Sequence, residues 1–358
     1  MASRRSRTLS LLLIVATLLC ALTGLSSCTK KPYEYDLDEY ITLPDGWEYY
    51  SVSEEDIEHR ASEKIETVRK NSLIESPLTD RASVSGDKIS VSLVCYTAAS
   101  YGAKDSTPVS DLTDSDCTLI IGNGKYPTEL EKALVGLYAN DKVTVRLTLP
   151  DNFTLKSLAG TAIVYEVTVK EVFELQLPLY NDAFVRSVSA CNTVDEYEKE
   201  IYERAKQELL WEKVVSESVV ISYPETEIRS YTNSFIAHYT GLASARSETL
   251  ETYVARKFFT ELTDFHLQAD AHAKKIVKEE LILYKFVRKY ELEITASEYQ
   301  AGAERYAKEY GLRSVAALEG KYGTAFVRQS VQSDKVLNFI VSELDRIADT
   351  TVSPLPQS

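Results

Sequence analysis

The chain has 358 residues, 44% of them apolar and 26% charged, with 40 Lys and Arg against 54 Asp and Glu. At ~150 residues per domain this length holds two or three domains, and the balanced composition excludes a disordered, collagen-like or fibrous coiled-coil protein. The net charge of −14, without any run of Lys or Arg, speaks against a nucleic-acid partner, because a phosphate backbone needs a basic surface.

Residues 1–28 open with Arg4, Arg5 and Arg7, continue through 17 mostly apolar residues from Leu9 to Leu25, and close on Leu25-Ser26-Ser27-Cys28. A membrane span needs ~20 apolar residues, so the run fits a secretory signal better than a transmembrane helix. Its end resembles a bacterial lipobox, in which the segment before the cysteine is removed and the cysteine carries lipid. Acyl chains anchor at ~0.8 kcal/mol per buried CH₂. The expectation is therefore a signal peptide over 1–27, lipidation at Cys28, and a mature chain held to the cell membrane outside the cytoplasm. Losing the three arginines takes its net charge to −17. An ordinary signal peptide, or a short uncleaved anchor, is the alternative. No cysteine pair has the C-x-x-C spacing of a zinc or redox site. Cys95 and Cys117 fall in predicted strands and read as small buried hydrophobes.

Residues 28–50 are acidic, rich in Tyr and without helical period. They read as a tether with one extended segment. Ser51 and Glu54 have capping-box spacing, and Glu54-Glu55-Asp56 suit the positive end of a helix running to about Asn71. A linker helix is assigned to 51–78. Between Arg81 and Phe173 the pattern alternates with period two, at Ile89, Val91, Leu93 and Cys95, at Val143, Val145, Leu147 and Leu149, and at Ile163, Tyr165, Val167 and Val169. Residues 117–121 form a shorter strand, and 128–137 carry helical spacing at Leu130, Ala133, Leu134 and Leu137. One short helix among four or five strands is an α+β module, assigned to 79–175. No glycine occurs between Gly160 and Gly241 and no proline between Pro224 and Pro354, so helices dominate 176–350. Thr193/Glu196 and Thr295/Glu298 are capping-box pairs, Val219-Val220-Ile221 is extended, and Pro224 suits a first helical turn. Residues 248–292 read as two or more helices, followed by helices ending near Gly311 and spanning about 314–322 and 326–347. Residues 351–358 are a tail.

The four histidines, His59, His238, His266 and His272, sit at no metal spacing, and neither a G-x-S-x-G elbow nor a phosphate-binding Walker loop is present. No metal or other cofactor is expected, and a hydrolase, kinase or dehydrogenase is disfavoured.

The middle module resembles the FKBP fold, and more closely the FKBP-like domain of bacterial trigger factor. Gly86-Asp87-Lys88-Ile89-Ser90-Val91 resembles the G-D-x-V-x-I strand and Tyr96-Thr97 the Y/F-T-G end of it. Leu119-Ile120-Ile121-Gly122-Asn123-Gly124 is similar to F-x-L-G-x-G, and Tyr126-Pro127-Thr128-Glu129-Leu130-Glu131 falls where I-P-G-F-E is expected. Leu149-Pro150-Asp151-Asn152-Phe153 resembles F-P-x-x-Y, and residues 158–172 resemble the closing strand. On the C-terminal side, Leu177-Pro178-Leu179-Tyr180-Asn181-Asp182-Ala183-Phe184 resembles the domain exit of trigger factor. Residues 273–294 resemble its long chaperone-domain helix, and Lys335-Val336-Leu337-Asn338-Phe339-Ile340 the K-V-L-D-F-L near its end. The resemblance runs from about Ser51 to Ile347 and implies an FKBP-like antiparallel sheet joined to an all-α chaperone domain. The ribosome-docking domain has no counterpart, so no ribosome docking is expected.

By position, the resemblance implies a proline-binding pocket of Tyr96, Leu119, Tyr126, Leu130, Phe153 and Tyr165, with Tyr96 and Tyr165 as aromatic walls and Leu130 in place of an aromatic floor. Pro127 stands where the family has a backbone N–H donor, which proline lacks. The acidic-aromatic pair after the first strand is replaced by a longer polar stretch, residues 100–116. The implied function is that of a folding factor for secreted polypeptides, a prolyl cis-trans isomerase and chaperone whose partners are unfolded or proline-containing chains. A non-catalytic holdase or adaptor with a degenerate pocket is the alternative. The 23 tyrosines suit amphipathic contacts with many peptides, whereas Met, present only as Met1, offers none of its usual plasticity.

Overall fold

The computed structural model describes residues 35–352 apart from 152, 154, 156 and 259. The expected signal peptide, the lipidation site at Cys28 and the tail beyond 352 lie outside the described residues. Among those described, the chain gathers into two compact units. One is a sheet unit of residues 72–178 and 239–265, and the other a helical unit of residues 35–71, 179–238 and 266–352.

Residues 35–50, expected as part of a tether, belong to the core of the helical unit. Two 3₁₀ turns, Leu37–Glu39 and Trp47–Tyr49, flank β1 (Ile41–Thr42), which pairs antiparallel with Val219 and Val220. Leu37, Ile41, Leu43 and Trp47 are buried in one cluster with Phe286 and Val336. The Trp47 indole donates to the Tyr290 hydroxyl at 3.0 Å, and its ring meets Phe286 edge-on at 5.1 Å. These four apolar residues follow no helical or strand period, so their burial shows only once the tertiary partners are in place. Helix α1 (Glu54–Asn71) follows. Its cap is Ser53 rather than Ser51: the Ser53 hydroxyl accepts from the Asp56 N–H at 3.1 Å. The stripe Ile57, Ala61, Lys64 and Val68 is buried at the i, i+4, i+7 spacing of one helix face.

The sheet unit holds five antiparallel strands: β2 (Ile74–Pro77), β3 (Lys88–Thr97), β4 (Asp114–Ile120), β5 (Lys142–Thr148) and β6 (Ala162–Gln176). The order is β2–β6–β3–β4, and β5 pairs with residues 162–168 of β6, beyond the reach of β2. Helix α2 (Thr128–Ala133) packs on one face with Leu130 and Leu134 fully buried. It stops short of the expected Leu137, because Gly136 takes a left-handed φ of 86° and turns the chain toward β5.

The sequence C-terminal to the sheet is helical. Helix α3 (Asp182–Val188) escaped the sequence reading, being only two turns long. Its cap Asn181 accepts from the Phe184 N–H at 3.0 Å. Then come α4 (Val194–Glu217), capped by Thr193, the short strand β7 (Val219–Val220) that pairs with β1, and α5 (Glu225–Ser244). The expected 248–292 helical run is α6 (Leu250–Phe258) and α7 (Leu262–Lys289). Residues 239–265, which contain α6, are compact with the sheet rather than with the helices on either side in sequence. Helix α8 (Ala296–Glu309) carries the full reciprocal box between Thr295 and Glu298, and α9 (Val315–Tyr322) and α10 (Thr324–Val352) complete the chain. The architecture is α+β, with an antiparallel sheet and a helical C-terminal region. Among the described residues no helix is long and apolar enough to cross a membrane.

Candidate functional site

Strand alternation decides which side chains of the sheet unit can meet. Ile89, Val91, Leu93 and Cys95 of β3 share a buried cluster with Ile163, Tyr165, Val167 and Val169 of β6. Cys95 lies opposite Tyr165, and Tyr96 opposite Val164. Successive side chains of a strand point to opposite faces. Tyr96 therefore does not join Tyr165 as a second wall of one pocket but stands on the other face of the sheet. There its ring meets Tyr101 edge-on at 5.7 Å. The Tyr101 hydroxyl donates to Glu166 at 3.1 Å, and the Arg146 guanidinium sits 5.2 Å from the Tyr101 ring centre. The period of two in β3 already carried this signal, whereas the Tyr96-Thr97 motif match pointed the other way.

The other five expected residues come together. Leu119, Leu130 and Tyr165 are buried in the cluster, and Tyr126 and Phe153 pack on it half-buried. Leu130 has no exposure at all, so it supports the apolar surface from behind while Tyr126 and Phe153 present it to solvent. Two residues missed in the sequence join them. Val109 and Leu112, from the longer connection between β3 and β4, pack half-buried on the same cluster, and the Val109 N–H donates to the Cys95 carbonyl at 2.7 Å. Their only sequence signal is being apolar inside a polar stretch.

The polar groups in this cluster are neutral. The Tyr126 hydroxyl and Cys117 sulfur share a hydrogen bond at 3.2 Å. Burial raises the phenols of Tyr126 and Tyr165 and the thiol of Cys117, and it pushes the Cys95 thiol up to about 11. No thiolate or phenolate is present at neutral pH, so the cluster has no activated nucleophile. The backbone donors of the turn before α2 are committed inward. The buried Glu131 carboxylate accepts from the Gly124 N–H at 3.2 Å and the Tyr126 N–H at 3.1 Å, and Pro127 has no N–H to offer. Among the described residues no group of His, Cys, Asp and Glu is arranged to hold a metal ion. What remains is an apolar, aromatic-edged surface with one phenolic O–H whose partner is a weak sulfur acceptor.

In the helical unit many tyrosines are structural. Tyr197 and Tyr306 are buried, and the rings of Tyr310 and Tyr322 meet at a tilt, 5.2 Å apart, in the cluster that joins α8, α9 and α10. Among the described residues, the large apolar side chains that unit leaves exposed are Tyr49, Leu179, Val219, Ile221 and Leu267.

Comparison with known proteins gives the relationships of the chain. Residues 189–342 match the family described as bacterial trigger factor protein (TF) C-terminus. The chain is similar to the trigger factor of Alkaliphilus oremlandii, 27% identical over 287 residues that cover 77% of this chain and 64% of the relative. It is also similar to that of Clostridium tetani, 26% identical over 329 residues that cover 88% and 73%. It thus spans about two thirds to three quarters of the length of these relatives. A solved structure from a study of promiscuous substrate recognition in folding and assembly activities of the trigger factor chaperone aligns over 85% of this chain and 73% of its own, at 16% identity and a TM-score of 0.32. Residues 189–342, within the helical C-terminal region, are thus similar to the C-terminal part of bacterial trigger factor.

Proposed function

We propose that the chain is a protein-folding factor that grips unfolded polypeptides through its helical region and turns prolyl bonds on the apolar surface of the sheet unit. In this reading it works outside the cytoplasm, on a lipid anchor at Cys28. The observation that carries the chaperone role is the match of residues 189–342 to the trigger factor C-terminus. Exposed Leu179, Val219, Ile221 and Leu267 offer dispersed apolar contacts of the kind that bind many chains weakly.

Rotation about an X-Pro amide meets a barrier of ~18–20 kcal/mol, because the resonance that makes the bond planar is lost. No nucleophile is needed to lower it. The half-rotated amide is less polar than the planar one and loses less on leaving water, so an apolar surface holds it preferentially. Tyr126, Phe153, Val109 and Leu112 form the half-buried edge of such a surface, with Leu119, Leu130 and Tyr165 behind them. The Tyr126 phenol stays protonated and exchanges its weak sulfur partner for the carbonyl oxygen of the client. The second reading, a holdase without catalysis, is favoured by Glu131, which occupies the Gly124 and Tyr126 N–H groups, and by Pro127.

Two measurements on the full chain separate the readings. Acceleration of cis/trans exchange in a proline peptide, together with suppressed aggregation of a reduced client, is expected. Suppression with an exchange rate equal to buffer leaves the holdase. Failure in both assays sinks the folding role. The anchor is tested separately: Cys28→Ala should move the protein from the membrane to the soluble fraction, and an unchanged membrane fraction refutes lipidation at that residue.

A further inference from the structure

The turn between β4 and α2 carries the Tyr126 phenol but has little of its own to hold it in place. Gly122, Asn123, Gly124 and Lys125 are exposed, and a Cβ added at Gly124 would meet nothing within 4 Å. Two hydrogen bonds of the turn are local. The Asn123 N–H donates to the Ile120 carbonyl at 3.3 Å, and the Lys125 N–H to Asn123 Oδ1 at 3.0 Å. Two more come from α2, where the Glu131 carboxylate accepts from the Gly124 and Tyr126 N–H groups at 3.2 and 3.1 Å. Glu131 is itself fixed: it is 7% exposed, on a helix held down by the fully buried Leu130 and Leu134. No Lys or Arg pairs with it among the described residues.

Tyr126 is thus tied at both ends, through its N–H to Glu131 and through its hydroxyl to the Cys117 sulfur at 3.2 Å. The two ties are unequal. Sulfur is a weak acceptor, and the hydroxyl has to leave it before it can donate to a client carbonyl. The bond to the carboxylate is charge-assisted, roughly twice as strong as a neutral one, and it persists when the hydroxyl turns. While a prolyl bond is half rotated, Glu131 is therefore the tie that remains on Tyr126. A donor to a transition state acts only when held within about 0.5 Å of its productive place.

We propose that Glu131 is a positioning residue of the prolyl site, holding the backbone of residues 124–126 so that the Tyr126 hydroxyl meets the client carbonyl in the half-rotated state. The inference rests on the prolyl-site reading above. The same two bonds that withhold the Gly124 and Tyr126 N–H groups from a client aim the phenol at it. The apolar surface around Phe153, Val109 and Leu112 holds the planar client without that help, so Glu131 acts on turnover rather than on client affinity. In Glu131→Gln the shape is kept, but the amide has one acceptor oxygen and sets its NH₂ against the second N–H, so one of the two bonds is lost.

The test uses the full chain and a proline peptide, with the wild type, Glu131→Gln, Tyr126→Phe and the double variant. Glu131→Gln should lower kcat for cis/trans exchange about 3- to 10-fold, the worth of one hydrogen bond, and leave KM within about 2-fold. In the Tyr126→Phe background the same change should take nothing further from kcat, because no phenol is left to aim, while the melting temperature falls equally in both backgrounds. Multiplying losses of kcat in the double variant overturn the inference. So does an unchanged kcat in either single variant, and so does a rise in Glu131→Gln, which would mean that the freed N–H groups serve the client better than the phenol. The wild-type chain gives a check without any variant: the Gly124 and Tyr126 amides should be protected from hydrogen exchange with solvent although Gly124 is exposed. Free exchange of both amides overturns the inference and leaves the prolyl site standing. If the wild-type chain does not speed prolyl isomerisation at all, the prolyl-site reading itself fails, and Glu131 has nothing to position.

Discussion

Replacing Glu280 by glutamine should remove a pH-dependent weakness from the helical unit. Glu280 lies on α7 with 4% of its surface exposed, among α5 and α10. Its Oε1 accepts from the Tyr231 hydroxyl at 2.5 Å and the Gln329 amide at 2.8 Å, while its buried Oε2 has no partner. No Lys or Arg pairs with it among the described residues. Burial pushes its carboxyl from the ordinary 4.5 up to about 7, only partly opposed by those two hydrogen bonds, and the nearby Glu227 adds to the rise. The folded state thus keeps a proton that the unfolded chain releases above pH 4.5. Stability therefore falls as pH rises from about 4.5, and the loss is complete once pH passes the folded value near 7. At ~1.4 kcal/mol per pH unit the loss amounts to about 3 kcal/mol. Glutamine keeps the acceptor for Tyr231 and Gln329 and carries no charge at any pH. Urea unfolding of the wild-type chain and Glu280→Gln should be compared at pH 4.5, 6 and 8. The stability difference should shift toward the variant by about 3 kcal/mol between pH 4.5 and 8, whatever constant offset the new amide N–H brings. Glu279, whose carboxyl burial also pushes up to about 7, titrates in both proteins and cancels in the difference except for the smallest contribution to its rise, which comes from Glu280 itself. Parallel pH profiles for the two proteins would refute the reasoning.

Other outcomes follow from the same structure. On the proposed prolyl mechanism, Tyr126→Phe should lower prolyl exchange about 3- to 10-fold, the loss of the one hydrogen bond that mechanism assigns to the transition state, while thermal stability changes by less than about 1 kcal/mol, since Cys117 is a weak partner. An unchanged exchange rate removes the phenol from the mechanism. Trp47→Ala should destabilise the helical unit by about 3–5 kcal/mol, read by denaturant midpoint, and a loss below about 1 kcal/mol would mean that residues 35–50 are a tether after all. Gly302→Ala should destabilise the contact between α8 and α10, because a Cβ there would lie 2.7 Å from both methyl carbons of Val331. Valine is stiff at χ1 in a helix and cannot swing away, so a net loss of about 1–2 kcal/mol is expected despite alanine's better helix propensity. A gain in melting temperature would show that the helices part without cost.

Much of the fold was written in local chemistry. Thr193 and Thr295 announced helix starts, because a hydroxyl three residues before a backbone N–H satisfies an otherwise orphaned donor wherever the helix packs. The alternation at Ile89, Val91, Leu93 and Cys95, and again at Ile163, Tyr165, Val167 and Val169, fixed two strands and their buried face. The same alternation held the position of Tyr96, since a neighbour of Cys95 in a strand must point away from it.

Other features depended on partners far away in sequence. Leu37, Ile41, Leu43 and Trp47 have no period of their own and become core only against Phe286 and Val336. Val109 and Leu112 join the apolar surface because the β3–β4 connection folds back onto Cys95. Residues 239–265 read as ordinary helical sequence, yet they are compact with the sheet, where Arg246 and Arg256 enter the surroundings of Cys117. Glu280 reads as one acid among 54 until three helices close around it. Sequence by itself determined what depends on hydrogen bonds and periods within a few residues. The tertiary structure decided which side chains share a solvent-free space, because burial and the local dielectric are properties of neighbours that the chain order does not name.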